Sequence, residues 1–137
     1  MVIVLQDGSD VPVFRQIRNQ IVVGISEGKL SPGEKLPTVR ALAEEIGINS
    51  MTVNKAYQLL KQEGYILTDR RNGVRVRESF SALSGLSPEA EQQLHQLISE
   101  AHIRGVTRDE FVDMVDKYYS ALPATEPSLP TFELLPE

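Results

Sequence analysis

The sequence predicts a mainly α-helical fold, and three observations carry that prediction. Apolar residues recur at helical spacing in five stretches, each opened by a capping residue or a proline. Strand character is confined to two short runs around Asp69-Arg-Arg-Asn-Gly73, where Asn-Gly is a strong hairpin signal. The second and third helical stretches are separated by little more than Gly47 and Ile48, and the hairpin follows directly. A helix, a tight glycine turn, a second helix and a two-stranded wing make a winged helix-turn-helix. We expect that domain over 1–78, a linker over 79–86, a two-helix dimerisation unit over 87–122 and a flexible tail over 123–137.

Taken in order, Val2 to Leu5 are β-formers placed to pair locally or cover an edge, and Asp7-Gly-Ser-Asp10 is a turn. Pro12 suits the first turn of a helix, where its missing N–H costs nothing. Phe14, Ile17, Ile21 and Ile25 follow at helical spacing, widened by Val13 and Val22, with Arg15, Gln16 and Arg18 expected on other faces; the helix should end near Gly28. After the Leu30-Ser-Pro-Gly33 turn, Thr38 is the N-cap of a second helix with Val39, Leu42, Ala43 and Ile46 as its buried stripe. Gly47 supplies the positive φ that ends it. Asn49 caps the third helix, whose inward face is Val53, Ala56, Tyr57 and Leu60, and Gly64 closes it. Tyr65 to Thr68 and Val74 to Arg77 read as the strands of the wing.

Beyond a Ser-rich connector, Ser87-Pro-Glu-Ala90 opens a fourth helix with an N-cap, a proline at the first position and acid in the first turn. Its seam is Leu94, Leu97, Ile98 and Ala101, and Gly105 stops it. Thr107 caps a fifth helix carrying Phe111, Met114, Val115, Tyr118 and Leu122. Those two seams are too apolar for an isolated helix pair to leave in water, so a second copy of the chain is expected to cover them. The last residues hold four prolines and no periodicity.

Charge is divided along the chain. Residues 11–78 carry eleven Lys/Arg against seven Asp/Glu, whereas 79–137 carry three against ten, within a net charge of −5. A basic front beside an acidic back suggests that one part meets phosphate. With no cysteine there is no disulfide, thiolate metal site or redox nucleophile. The longest apolar runs are too short to span a bilayer or form a signal segment, so a soluble, cytoplasmic protein without membrane contact is expected. His95 and His102 stand seven apart on the fourth helix, not at the four-residue spacing of a helical metal pair. No phosphate-binding glycine loop, nucleophile elbow or triad is visible. We therefore expect no catalytic residue, no cofactor and no metal.

The residues that carry chemistry cluster around the two-helix turn. In a helix-turn-helix the second helix enters the major groove and its N-terminal residues reach base edges. Here those are Asn49, Ser50, Thr52 and Asn54; asparagine can pair with adenine, and Ser or Thr with base or phosphate. The plain alternative is that Asn49 and Ser50 only cap the helix, although capping and phosphate contact are compatible. Arg40 should point past the turn toward the same groove, with an ion pair to Glu44 as its alternative role. Thr38 joins the set as a DNA-contact candidate and Lys55 as a phosphate candidate. In the wing, Arg70, Arg71, Arg75 and Arg77 are placed to meet phosphate, and Gly73 lets the tip approach a minor groove closely.

At these residues the chain resembles the GntR family of bacterial transcription regulators. The resemblance is carried by Pro12-Val-Phe-Arg-Gln-Ile, by Gly28-Lys-Leu-Ser-Pro-Gly-Glu-Lys-Leu-Pro-Thr-Val-Arg-Ala-Leu-Ala, by Gly47-Ile-Asn-Ser-Met-Thr-Val-Asn-Lys-Ala-Tyr and by Glu63-Gly-Tyr-Ile, over residues 12 to about 78. It implies that Arg40, Asn49, Ser50, Thr52, Asn54 and Gly73 meet an operator. Family members often carry arginine where this chain has Ser50 or Asn54, and two wing glycines followed by Phe-Val where it keeps only Gly73 and Val-Arg-Val. The short C-terminal part resembles the small YtrA subfamily, whose two helices mainly dimerise and whose members often repress neighbouring transporter genes. The leading expectation is a homodimeric transcription repressor that binds double-stranded DNA, and a two-fold dimer would demand a pseudo-palindromic operator. A rival reading is a winged-helix module that binds protein, which should expose apolar residues on the third helix. A third adds a small-molecule effector between the C-terminal helices, although no convergent polar pocket identifies one.

Overall fold

The computed structural model describes residues 1–71 and 73–123; the expectations for Asn72 and for the tail beyond Pro123 lie outside the described residues. The chain divides into two compact units, Met1–Ala82 and Leu83–Glu137.

The first unit is built on three helices: α1 (Val13–Ser26), α2 (Val39–Ile46) and α3 (Ser50–Glu63). Their stripes meet in one core, with Ile17, Ile21, Leu42, Val53 and Leu60 fully buried beside Ile66 and Val76 of the wing. Local chemistry sets the helix ends. The Thr38 hydroxyl accepts from the Ala41 N–H at 3.0 Å, and the Asn49 side-chain oxygen accepts from the Met51 N–H at 2.7 Å. Between them Gly47 sits at φ 72°, the left-handed conformation that reverses the chain within one residue.

The wing is an antiparallel pair, β1 (Ile66–Asp69) and β2 (Gly73–Val76), registered from Ile66 opposite Val76 to Asp69 opposite Gly73. Each strand lies within a residue of the predicted run. A feature not expected from sequence lies on the other edge of β2. There the segment before α2 pairs with it: the Leu36 N–H donates to the Val74 carbonyl and the Val76 N–H to the Glu34 carbonyl, both at 2.8 Å, while Gly33 N–H reaches the Val76 carbonyl at 3.0 Å. The wing is thereby stitched to the entry of α2.

Two further differences concern the N-terminus. Gln16, expected on an outer face of the first helix, is buried. Its oxygen accepts from the Gln6 N–H at 2.9 Å and its amide donates to the Val11 carbonyl at 2.9 Å, so its polar atoms are satisfied. One turn later Gln20 accepts from the Val4 N–H at 2.9 Å and donates back to the Val4 carbonyl. These two amides take the place of a partner strand, pairing the backbone of Val4 and Gln6 with side chains of α1. Ile3 enters the core and Phe80, beyond β2, packs on it as well.

The second unit contains α4 (Pro88–Ile103) and α5 (Arg108–Ser120). Ser87 caps α4 through the Ala90 N–H, and Thr107 with Glu110 forms a reciprocal capping box on α5. Leu122, expected within the fifth helix, falls after its C-cap, Ala121. Neither helix buries a residue completely, and Leu94, Leu97, Ile98, Met114, Val115 and Tyr118 all remain exposed. Among the described residues no helix is long and apolar enough to cross a membrane.

Candidate nucleic-acid interface

Burying Val53, Ala56, Tyr57 and Leu60 fixes how α3 is rotated. The face turned away from the core is then Met51, Asn54, Lys55 and Gln58, at i, i+3, i+4 and i+7, and all four are exposed. Asn49 and Ser50 are exposed at the helix entry, and Thr52 is half-buried on its flank. Asn49 spends its side-chain oxygen on the cap, which leaves its amide N–H groups to donate elsewhere. The predicted residues Asn54 and Lys55 lie on the outward face. Met51 and Gln58 belong to it too and were missed, although the same helical spacing, read from the side opposite the core stripe, points to them.

Lys55 is oriented by an aromatic contact. Its ammonium lies 4.2 Å from the centroid of the Phe14 ring on α1, and the Arg15 guanidinium lies 5.8 Å from the same ring. Two cations thus flank one ring where α1 meets α3.

The pitch between α2 and α3 is held by Tyr57, whose hydroxyl donates to the Pro37 carbonyl at 2.8 Å. Burial pushes its phenol well above the ordinary range, and the Glu45 carboxylate adds to the rise. The group stays a neutral donor. Thr38 follows Pro37 directly and Arg40 lies two residues further on, and both are exposed. Among the described ion pairs none joins Arg40 to Glu44, the alternative role considered for it.

The wing corrects the expectation of four outward arginines. Arg70 and Arg71 are exposed, but Arg75 and Arg77 are partly buried. Arg75 lies between Asp69, 3.6 Å from its Nε, and Glu78, 3.6 Å from a terminal nitrogen, with its side chain 23% exposed. The Nε atoms of both arginines are buried without a hydrogen-bond acceptor among the described residues. Arg70 and Arg71 lie in the turn between the strands, whereas Arg75 is flanked by Leu67 of β1 and by Lys35 of the stitching segment, so it is hemmed in on both edges. At the tip the Arg71 N–H donates to Asp69 Oδ1 at 2.8 Å. Gly73 adopts φ 68°, and a Cβ there would make only ordinary contact with Lys35, so the backbone conformation and not crowding calls for glycine.

In the second unit an open groove of about 380 Å³ runs between α4 and α5, lined by Ile98, Ala101, His102, Arg108, Phe111 and Val112. Among the described residues no group of three or more His, Cys, Asp or Glu side chains could hold a metal.

Comparison with known proteins places this geometry. Residues 13–76 match the profile described as bacterial regulatory proteins, gntR family. The HTH-type transcriptional repressor YtrA of Bacillus subtilis is 37% identical over 109 residues, which span 78% of this chain and 84% of that relative. Among solved structures, YtrA from Sulfolobus acidocaldarius, a GntR-family transcription factor, superposes with a TM-score of 0.58 at 34% identity, covering 75% of this chain and 99% of the other. A transcriptional antiterminator from Listeria monocytogenes superposes with a TM-score of 0.77 at 28% identity over 87% of this chain and 90% of that one.

Proposed function

Because the chain belongs to the GntR family of bacterial regulatory proteins, a family of transcriptional regulators and not enzymes, we propose that it is a homodimeric repressor acting in the cytoplasm on a pseudo-palindromic operator. The carrying observation is the outward face of α3, where polar side chains stand exposed after the exposed Asn49 and Ser50, with Arg40 exposed on α2. In this reading α3 lies in the major groove. Asn49, Ser50, Thr52 and Asn54 meet base edges and nearby phosphates, and Arg40 takes a phosphate or a guanine. Thr38, Lys55, Arg70 and Arg71 contact backbone phosphates, and Gly73 lets the wing tip come close. The exposed seams of α4 and α5 pair with those of a second copy, which brings two α3 helices onto successive major-groove turns, ~34 Å apart. A neighbouring operon, with transporter genes as the expected class, is the target suggested by the likeness to YtrA.

The protein-binding alternative calls for an apolar patch on α3. Met51 is a single apolar side chain among polar ones, which is not a patch. The deciding experiment is a footprint on the DNA flanking the gene that encodes this chain. Protection of two similar half-sites about one helical turn apart supports the proposal. Binding no tighter than to unrelated DNA at the same salt overturns it.

A further inference from the structure

Met51 is the unexplained residue of the outward face. It is 76% exposed, so its apolar side chain stands in water without contributing to the core. Its backbone N–H is already taken by the Asn49 side chain at 2.7 Å, which leaves the side chain as its means of contact. It occupies the first turn of α3, directly between Ser50 and Thr52, and heads the stripe that continues through Asn54, Lys55 and Gln58.

On the reading of α3 as the recognition helix, a residue at this place meets base edges. The major groove offers donors and acceptors at every base pair, and one apolar group, the C5 methyl of thymine. A thioether side chain is unbranched and flexible, so it can follow a methyl group over a range of approach angles. It offers no strong donor or acceptor for any other edge. We infer that Met51 is a specificity-determining residue that packs on the 5-methyl group of a thymine, selecting thymine at one position of each half-site. Its polar neighbours Ser50, Thr52 and Asn54 read adjacent edges by hydrogen bonding, so apolar and polar readout alternate along the first turn.

The test uses the full-length chain and a duplex that it selects from a random-sequence pool. Each thymine of that duplex is replaced in turn by deoxyuridine, which removes only the methyl group. One thymine in each half-site should then cost about fourfold in affinity per replacement, the worth of one buried methyl group. That penalty should vanish for Met51→Ala and persist for Met51→Leu, while the thermal midpoint of both variants stays at that of the parent. A scan with no sensitive thymine, or a penalty that Met51→Ala retains, overturns the inference and leaves the regulator reading standing. A pool that yields no enriched duplex sinks the regulator reading itself, and this inference with it.

Discussion

The hydroxyl of Tyr57 on α3 donates a 2.8 Å hydrogen bond to the carbonyl oxygen of Pro37, at the entry to α2. The two residues lie twenty apart in sequence, so the bond ties α3 to the segment that leads into α2, the other helix that a helix-turn-helix must hold at a fixed angle. The same Pro37 follows Leu36, whose N–H pairs with β2, so one short segment anchors wing, α2 and α3 together.

Removing that hydroxyl leaves the Pro37 carbonyl without its partner. Tyr57→Phe should therefore lose about 1 kcal/mol of stability in urea unfolding, the usual net worth of such a bond. The effect is also pH-dependent. The folded-state phenol has a raised pKa, so the folded form holds its proton where the unfolded chain releases it. The contribution is present in full below the ordinary phenol pKa of about 10 and is lost as pH climbs above it. The stability difference between parent and Tyr57→Phe should shrink above about pH 10, and a difference that is flat with pH contradicts the assignment.

Arg40 is exposed one residue into α2 and stands outside the described ion pairs, so little in the fold depends on it. Arg40→Ala should melt with the parent and yet bind the operator more weakly by ~1–3 kcal/mol. A gel shift at matched salt measures this, and unchanged affinity removes Arg40 from the interface.

Neutralising phosphates releases counterions, so log affinity should fall steeply with log salt. Because Arg75 is held between Asp69 and Glu78, the wing's contribution should come from Arg70 and Arg71 alone. Replacing those two by alanine should reduce the salt slope by roughly 0.9 for each phosphate that is no longer neutralised. Replacing Arg75 should instead lower stability, since it removes a partly buried cation that lies between Asp69 and Glu78. A flat salt dependence for the parent favours the protein-binding alternative.

These distinctions mark where the sequence was legible and where it was not. Helices and caps were readable because their signals are local: Thr38, Asn49, Ser87 and Thr107 each accept a backbone N–H within three residues, as their types and positions imply. Arg75 and Arg77 looked like free cations because nothing in a hairpin's composition reveals that a third segment, Glu34 to Leu36, lies along its far edge. Gln16 looked like a surface residue because polarity was read without its partners, Gln6 and Val11. Met51 escaped notice because it is apolar at a position where only polar readers were sought, though its spacing from Val53 and Ala56 already turned it outward.

The final prediction concerns α4 and α5. Their seams include Leu97, 54% exposed, and Val115, 40% exposed, and neither helix buries a residue completely. Each such side chain returned to an apolar environment contributes on the order of 1–3 kcal/mol, so a second copy covering both helices would be strongly favoured. The exposed first-turn acids Glu89, Glu91 and Asp109 lie outside the named seams and stay in water in that arrangement. Leu97→Glu combined with Val115→Glu places charge in the interface that pairing must desolvate. That variant should keep the first unit folded, sediment as a monomer and bind the operator weakly, because a single α3 then engages a single half-site. The parent should sediment as a dimer at micromolar concentration. A monomeric parent under those conditions refutes the dimer and, with it, the two-fold operator.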